Sequence, residues 1–259
     1  MLTFGYNSDH PDDKYRSLDL YLPEAADRQT PLLVFIHGGA WRSEDKQDHA
    51  SLADQLVQRG RFAVAVPNYR LSLKTAADKP PEVQHPTHIL DIQQCLRFLT
   101  ETPPCSSYNP EEIFLIGHSA GAHIAMMLTL DPAFAKLSAI RGVIPADGIF
   151  DIPLLLKDYP DYADFIHQAF GDDASKFADA SPTTKTAYPI PPIRVVHSLE
   201  DELVNLAQAE AMVEHLKKIP QTRVELDTSV KGKHHEMVHG SDFVDSIVDF
   251  VKAHQIYQI

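Results

Sequence analysis

The chain has 259 residues, 44% of them apolar, which is enough for the core of one large α/β domain. Aspartate and glutamate (36) outnumber lysine and arginine (23), giving a formal net charge of −13. Such a charge argues against nucleic acid or an anionic membrane as a partner.

The N-terminal segment lacks the basic and apolar regions of a signal peptide, and no apolar stretch approaches the roughly 20 residues that cross a bilayer. Two cysteines, Cys95 and Cys105, are too few for a disulfide framework. We therefore expect a cytoplasmic protein with two free thiols.

Seven short apolar runs predict β-strands. The first, Ser17–Pro23, alternates apolar and polar residues and ends in proline, as a half-buried edge strand would. The other six lack this alternation, which is typical of strands covered on both faces in a parallel sheet. They are Pro31–His37, Arg61–Arg70, Glu112–Gly117, Arg141–Gly148, Pro192–Ser198 and Thr222–Ser229.

Segments with helical periodicity lie between these runs. They read DHASLADQLVQRG, HPTHILDIQQCLRFLTE, SAGAHIAMMLTL, NLAQAEAMVEHLKKI and SDFVDSIVDFVKAH. The alternation predicts right-handed βαβ units, with helices on both faces of one mostly parallel sheet. A segment at about 150–192 breaks the alternation and is too long for a structureless loop, so we predict a helical cap inserted into a single domain over residues 1–259.

The sequence GHSAG (Gly117–Gly121) matches the pattern G-x-S-x-G. A predicted strand precedes it and a predicted helix follows it, and a sharp turn between the two requires small residues on either side of the serine. This context predicts Ser119 as a nucleophile exposed at the start of a helix.

A serine hydroxyl reacts only when a base takes its proton, and an acid orients that base. In such a fold the acid follows the serine in the chain and the histidine comes last. After the next-to-last predicted strand, HSLEDELV offers Glu200, Asp201 and Glu202. We favour Asp201, because backbone donors can hold a short aspartate rigidly, with Glu200 as the alternative.

The base is expected between the last strand and the last helix. The stretch KGKHHEMVHG offers His234, His235 and His239. A glycine two residues before His234 lets the loop turn its imidazole toward the serine, so we favour His234 and keep His235 as the alternative.

The run PLLVFI leads into HGGAW, which contains Gly38, Gly39 and the only tryptophan, Trp41. A carbonyl attacked by serine develops negative charge on oxygen, and fixed N–H donors must stabilise that charge. We predict an oxyanion hole built from the amides of Gly38, Gly39 and Ala120, since glycine allows close approach of the backbone.

These motifs resemble the α/β-hydrolase family over most of the chain, and within its esterase and lipase branch the fungal-type kynurenine formamidases (arylformamidases). The narrower resemblance rests on HGGAW, GHSAGAH, DGIFDIPLLLKDYPDY, VVHSLEDELV and GKHHEM. It implies a triad of Ser119, Asp201 and His234 that hydrolyses N-formyl-L-kynurenine to L-kynurenine and formate in tryptophan degradation, with no metal or cofactor. One departure is His235, since a small acidic or amide residue is expected after the histidine.

The predicted partner is a small aromatic formamide or ester. Candidate substrate-binding residues are Trp41, Tyr69, His118, Phe150, Tyr159, Tyr162 and Phe165. A general short-chain carboxylesterase with the same triad stays an alternative. So does a non-catalytic binding protein of this fold, although such proteins usually lack a triad member and here all three positions are filled. The sequence leaves both a monomer and a homodimer open.

Overall fold

A computed structural model describes residues 1–74, 79–135 and 138–256. Within these ranges eight strands form one sheet in the order β1-β2-β4-β3-β5-β6-β7-β8. The first two pairings, β1 with β2 and β2 with β4, are antiparallel, and the rest are parallel, which confirms the predicted mostly parallel α/β sheet. The strands are β1 (Leu2–Gly5), β2 (Ser17–Tyr21), β3 (Leu32–Ile36), β4 (Ala63–Pro67), β5 (Ile113–His118), β6 (Ile140–Ala146), β7 (Ile193–Val196) and β8 (Val224–Asp227).

Two predictions about the sheet edges are wrong. The run Ser17–Pro23 is not an edge strand: all of β2 is buried, because β1 pairs outside it with Leu2 opposite Leu20. At the other edge β8 is not covered on both faces, since Glu225 and Leu226 are exposed.

The described helices cover both faces of the sheet. They are α1 (Ala50–Gly60), α2 (Thr87–Glu101), α3 (Ala120–Leu130), α4 (Ile152–Asp158), α5 (Ala163–Phe170), α6 (Leu206–Lys217) and α7 (Ser241–His254). Leu33 and Phe35 share one apolar cluster with α1 and α7, whereas Leu32, Val34 and Ile36 share the other with α2, α3 and α6. Successive strand residues point to opposite faces, so the unbroken apolar run of β3 supplies both layers. In the described ranges, no helix has the length and apolar character to span a bilayer.

The predicted helical insertion contains α4 and α5. The Gln208 side chain of α6 accepts hydrogen bonds from the amides of Phe150 and Asp151, each at 2.8 Å. The Tyr162 hydroxyl donates to the Leu203 carbonyl at 2.9 Å. These bonds fasten the insertion against α6 and the loop that follows β7, at the carboxyl end of the parallel strands.

Candidate active site

Ser119 lies in a sharp turn between β5 and α3. Its backbone has φ 55° and ψ −118°, a conformation that costs energy in a residue with a side chain. The turn packs so closely that a Cβ on Gly121 would lie 2.1 Å from the carbonyl oxygen of Ile36. The Ser119 amide donates to Ala146 of β6 at 2.9 Å, which fixes the serine at the first turn of α3.

The side chains of Asp201 and His234 are joined by a hydrogen bond of 2.7 Å between Oδ2 and Nδ1, and both are buried. Asp201 Oδ1 accepts two backbone amides, those of Leu203 at 2.7 Å and Val204 at 2.9 Å. Burial favours a higher pKa for Asp201, but the hydrogen bond and charge of His234 and the two amides hold this pKa below its usual range. The aspartate is therefore ionised, and the bond to Nδ1 leaves His234 Nε2 to exchange a proton.

The other two candidate histidines point elsewhere. His235 is largely exposed, and its Nδ1 lies 3.8 Å from Glu44 Oε1. His239 lies in the short 3-10 turn before α7, where its ring stacks on His49 at 6.2 Å. The structure brings Asp201 together with His234 and with neither alternative.

The loop that carries His234 is tied down by residues flanking Asp201. Glu200 Oε2 accepts the amide of Gly232, and Glu202 Oε2 accepts the amide of His234, each at 3.1 Å. His118 Nε2 is 2.9 Å from the His234 carbonyl oxygen. Sequence reasoning treated Glu200 only as an alternative acid, and nothing in the pattern HSLEDELV indicates that two of its carboxylates hold the histidine loop.

The structure corrects the prediction for Gly38. Its amide donates to Glu44 Oε2 at 3.2 Å, so its single hydrogen is not directed at a substrate oxygen. Glu44 is itself held by His49 Nε2 at 3.0 Å. Gly38 therefore anchors the loop after β3 rather than donating to an oxyanion.

The remaining donors lie on either side of the serine. Gly39, Ala40 and Trp41 have φ values of 83°, 51° and 57°, three left-handed residues in succession. No acceptor for the amides of Gly39 and Ala40 is found among the described residues. Ala120 begins α3, where helical amides lack an intrahelical acceptor. Gly39 and Ala120 stay predicted oxyanion donors, and the structure adds Ala40 as a further candidate.

Three of the predicted substrate-binding residues lie in the interior. Tyr69 and Phe150 are fully buried, which leaves them no surface for a ligand and makes these two predictions wrong. His118 is nearly buried but lines the cavity described below, so its contact with substrate stays a prediction. The Tyr69 hydroxyl instead lies 3.0 Å from the carbonyl oxygen of His37 and 2.8 Å from that of Gly38. Tyr69 thus holds the start of the loop after β3 through its hydroxyl.

Trp41 is also fully buried, so its predicted contact with substrate is wrong for this conformation. Its ring packs edge-on against His123 at 5.1 Å and against Phe170 of α5 at 4.8 Å. These contacts join the loop after β3 to the helical insertion.

Tyr159, Tyr162 and Phe165 are the predicted wall residues that keep some exposed surface. The Tyr159 ring stacks on Tyr162 at 4.9 Å, and Tyr162 in turn lies 5.1 Å from Phe165. All three belong to the insertion and stand beside the loop of Asp201. They form an aromatic cluster within the insertion.

Acidic and imidazole side chains lie close to Asp201 and His234. A cavity of about 330 Å³ is lined by Ser43, Glu44, Asp48, His49, His118, His235, Val238 and His239. Two buried groups, His118–Asp147–His234 and Asp147–His197–Asp201, each have nitrogen or oxygen atoms within 4.8 Å of one another. We assign no ion to either group.

Comparison with known proteins finds relatives that are named kynurenine formamidases or esterases. The family model BD-FAE matches residues 18–216. A kynurenine formamidase of Meyerozyma guilliermondii is 30% identical over 85% of this chain and 84% of that protein. A second, from Eremothecium gossypii, is 31% identical over 69% of this chain and 76% of that protein. Esterase LipQ of Mycobacterium tuberculosis is 28% identical over 77% of this chain but only 48% of that protein.

Among solved structures, a truncated carbohydrate esterase from gut microbiota superposes with a TM-score of 0.80, covering 98% of this chain and 96% of that one at 18% identity. This likeness confirms the fold. Because the family model spans well over half of the sequence, the chain belongs to the BD-FAE family of α/β-hydrolases and is a hydrolase.

Proposed function

We propose that the chain hydrolyses N-formyl-L-kynurenine to L-kynurenine and formate, with Ser119 as nucleophile, His234 as base and Asp201 as the acid that orients it. The observation that carries the proposal is the 2.7 Å bond between buried Asp201 and His234. The relatives named kynurenine formamidase support the choice of substrate.

The first half of the proposed cycle forms a formyl-enzyme. His234 Nε2 takes the proton of the Ser119 hydroxyl as its oxygen attacks the formyl carbon. The amides of Gly39, Ala40 and Ala120 stabilise the negative charge that develops on the carbonyl oxygen. The carbon–nitrogen bond breaks, the imidazolium gives its proton to the departing amine, and kynurenine leaves.

The second half removes the formyl group. His234 takes a proton from a water molecule, whose oxygen attacks the ester carbon. Collapse of the tetrahedral intermediate returns the proton to Ser119 and releases formate. Asp201 stays ionised throughout and stabilises the imidazolium in both halves.

The chemistry of this substrate suits the site. Formyl is the smallest acyl group, so it fits the tight turn at Ser119. An aryl amine is easier to expel than an alkyl amine. The exposed face of Tyr159, stacked on Tyr162, offers an aromatic surface for the ring of kynurenine.

The experiment compares kcat/KM for N-formyl-L-kynurenine and p-nitrophenyl acetate with the purified chain. We expect efficient formamide turnover that Ser119→Ala lowers at least about 10⁴-fold, whereas Ser51→Ala, on the exposed side of α1, leaves it unchanged. Ester hydrolysis without formamide turnover would replace the proposal by the carboxylesterase alternative. Turnover of neither compound by a folded chain would favour a binding protein.

A further inference from the structure

Asp147 is a buried carboxyl that the proposed cycle does not use. It follows β6 directly, has no exposed surface and has φ 43°, a left-handed value that is uncommon outside glycine. Its amide donates to Val196 of β7 at 3.0 Å, and its Oδ1 accepts the amide of Ser198 at 2.9 Å. These bonds hold the carboxyl at the ends of two neighbouring strands.

Asp147 lies against the acid–histidine pair. Oxygen atoms of Asp147 and Asp201 are within 4.8 Å of each other, and Asp147 also lies within 4.8 Å of a ring nitrogen of His234. Its Oδ2 is buried and has no hydrogen-bond partner among the described residues. An ionised oxygen without a donor is costly there, whereas a proton would make the same atom a donor.

The neighbouring groups supply no fixed cation. Burial lowers the pKa of His197, and burial followed by the charge of His234 holds the pKa of His118 well below its usual range. Both imidazoles are neutral at neutral pH. Burial, followed by the charge of Asp201, raises the pKa of Asp147, against the amide of Ser198, which lowers it. Two close carboxyls that cannot both ionise share one proton.

We propose that Asp147 and Asp201 share a single proton, which stays on Asp147 Oδ2 and is donated to Asp201. Asp147 is then a positioning residue: it adds a side-chain donor to the two backbone amides that hold Asp201 against His234. Loss of the shared proton would set two like charges side by side and remove that donor. This inference rests on the proposed triad but not on the formamide substrate.

The test pairs two substitutions at Asp147. Asp147→Asn keeps an oxygen for the Ser198 amide and places an N–H toward Asp201, so it reproduces the protonated carboxyl. We expect kcat/KM for p-nitrophenyl acetate to fall no more than about fivefold at neutral pH, and the alkaline decline of the wild-type profile to disappear. Asp147→Leu removes both donor and acceptor, and we expect kcat to fall at least about 100-fold with little change in KM.

A direct measurement does not depend on turnover. Infrared spectra of the chain labelled with ¹³C-aspartate should show a protonated carboxylic acid at neutral pH in wild type and in the exposed control Asp249→Asn, but not in Asp147→Asn. Absence of the band from wild type, or its persistence in Asp147→Asn, would overturn the proposal. So would an Asp147→Asn variant as impaired as Asp147→Leu. If Asp147→Leu does not fold, the infrared spectra and Asp147→Asn decide the question.

The two proposals fail in different ways. A chain that hydrolyses p-nitrophenyl acetate but not N-formyl-L-kynurenine would contradict the proposed substrate and still allow every measurement on Asp147. An unprotonated Asp147 in an active formamidase would contradict only the shared proton.

Discussion

Two carboxylate–imidazole pairs, Asp201–His234 and Glu44–His49, are built alike. Asp201 bonds to His234 at 2.7 Å, and Glu44 bonds to His49 at 3.0 Å. In both cases burial favours a higher pKa for the carboxyl and the histidine lowers it below its usual range. The bond type alone therefore does not mark a catalytic residue.

The neighbours of each pair decide what it does. Asp201 uses its second oxygen for two amides of its own loop, which leaves the imidazole of His234 as the working group. Glu44 uses the oxygen that binds His49 for the Gly38 amide as well, so this pair fixes a backbone segment. One pair positions an imidazole for proton transfer in our proposal, and the other positions peptide groups.

The largest expected effect is a loss of activity that distinguishes His234 from its neighbour His235. His234→Ala should lower kcat/KM for either substrate at least about 10³-fold, because it removes the imidazole that Asp201 holds through a 2.7 Å bond. His235→Ala should change it less than about threefold, since that ring is largely exposed. Steady-state kinetics of both variants, with circular dichroism as the control for folding, would reverse the assignment if His235→Ala were the inactive one.

A second prediction concerns the loop side, where His37 is buried beside Glu44 and His49. Burial, followed by the charge of His49, lowers the pKa of His37 to about 4. An unfolded histidine has a pKa of about 6.5. The unfolded chain therefore binds this proton more readily than the folded chain, and the folded chain is favoured above that pH. The free energy of unfolding should fall as the pH drops from 6.5 to 4, by up to about 3 kcal/mol for this residue.

Urea unfolding across this pH range checks the prediction. His37→Gln should flatten part of the slope, and the exposed control His10→Gln should not. Only part is removed, because burial also lowers the pKa of His85, His88 and His123. An identical slope in His37→Gln and wild type would contradict the account.

The smallest expected effect comes from Glu44→Gln. An amide oxygen still accepts the Gly38 amide, but the charge that strengthens this bond and the one to His49 is lost. We expect kcat to fall about tenfold while KM changes little, because the oxyanion donors are displaced only slightly. Glu236→Gln, an exposed substitution in the histidine loop, is the matched control. A loss as large as that of His234→Ala would mean that both pairs take part in proton transfer.

The parts of the fold that depend on local pattern were predictable from the sequence. The apolar run of β3 and the small residues around Ser119 fix a strand and a tight turn through sterics alone. β1 was missed because its four residues, LTFG, carry too little pattern, and its absence from the prediction placed β2 wrongly at the edge.

Chain order predicts the site residues that must follow one another in a fixed sequence. It does not predict residues whose role depends on how they pack. The order of serine, acid and histidine led to Asp201 and His234, which the structure joins. Burial could not be read from composition, so Tyr69 was assigned to the substrate although its hydroxyl lies against the carbonyls of the loop. Asp147 carried one usable signal, since a carboxylate at the end of a parallel strand lies at the edge where such folds place their sites.

The buried position of Trp41 makes its fluorescence a probe of the contact between the loop after β3 and the insertion. It is the only tryptophan, and it is shielded from water where the loop after β3 meets α5. Its fluorescence therefore reports on one joint, with no label and no competing emission from another indole. A shift of that emission to longer wavelength would signal water reaching the joint, separately from any change at the distant strands.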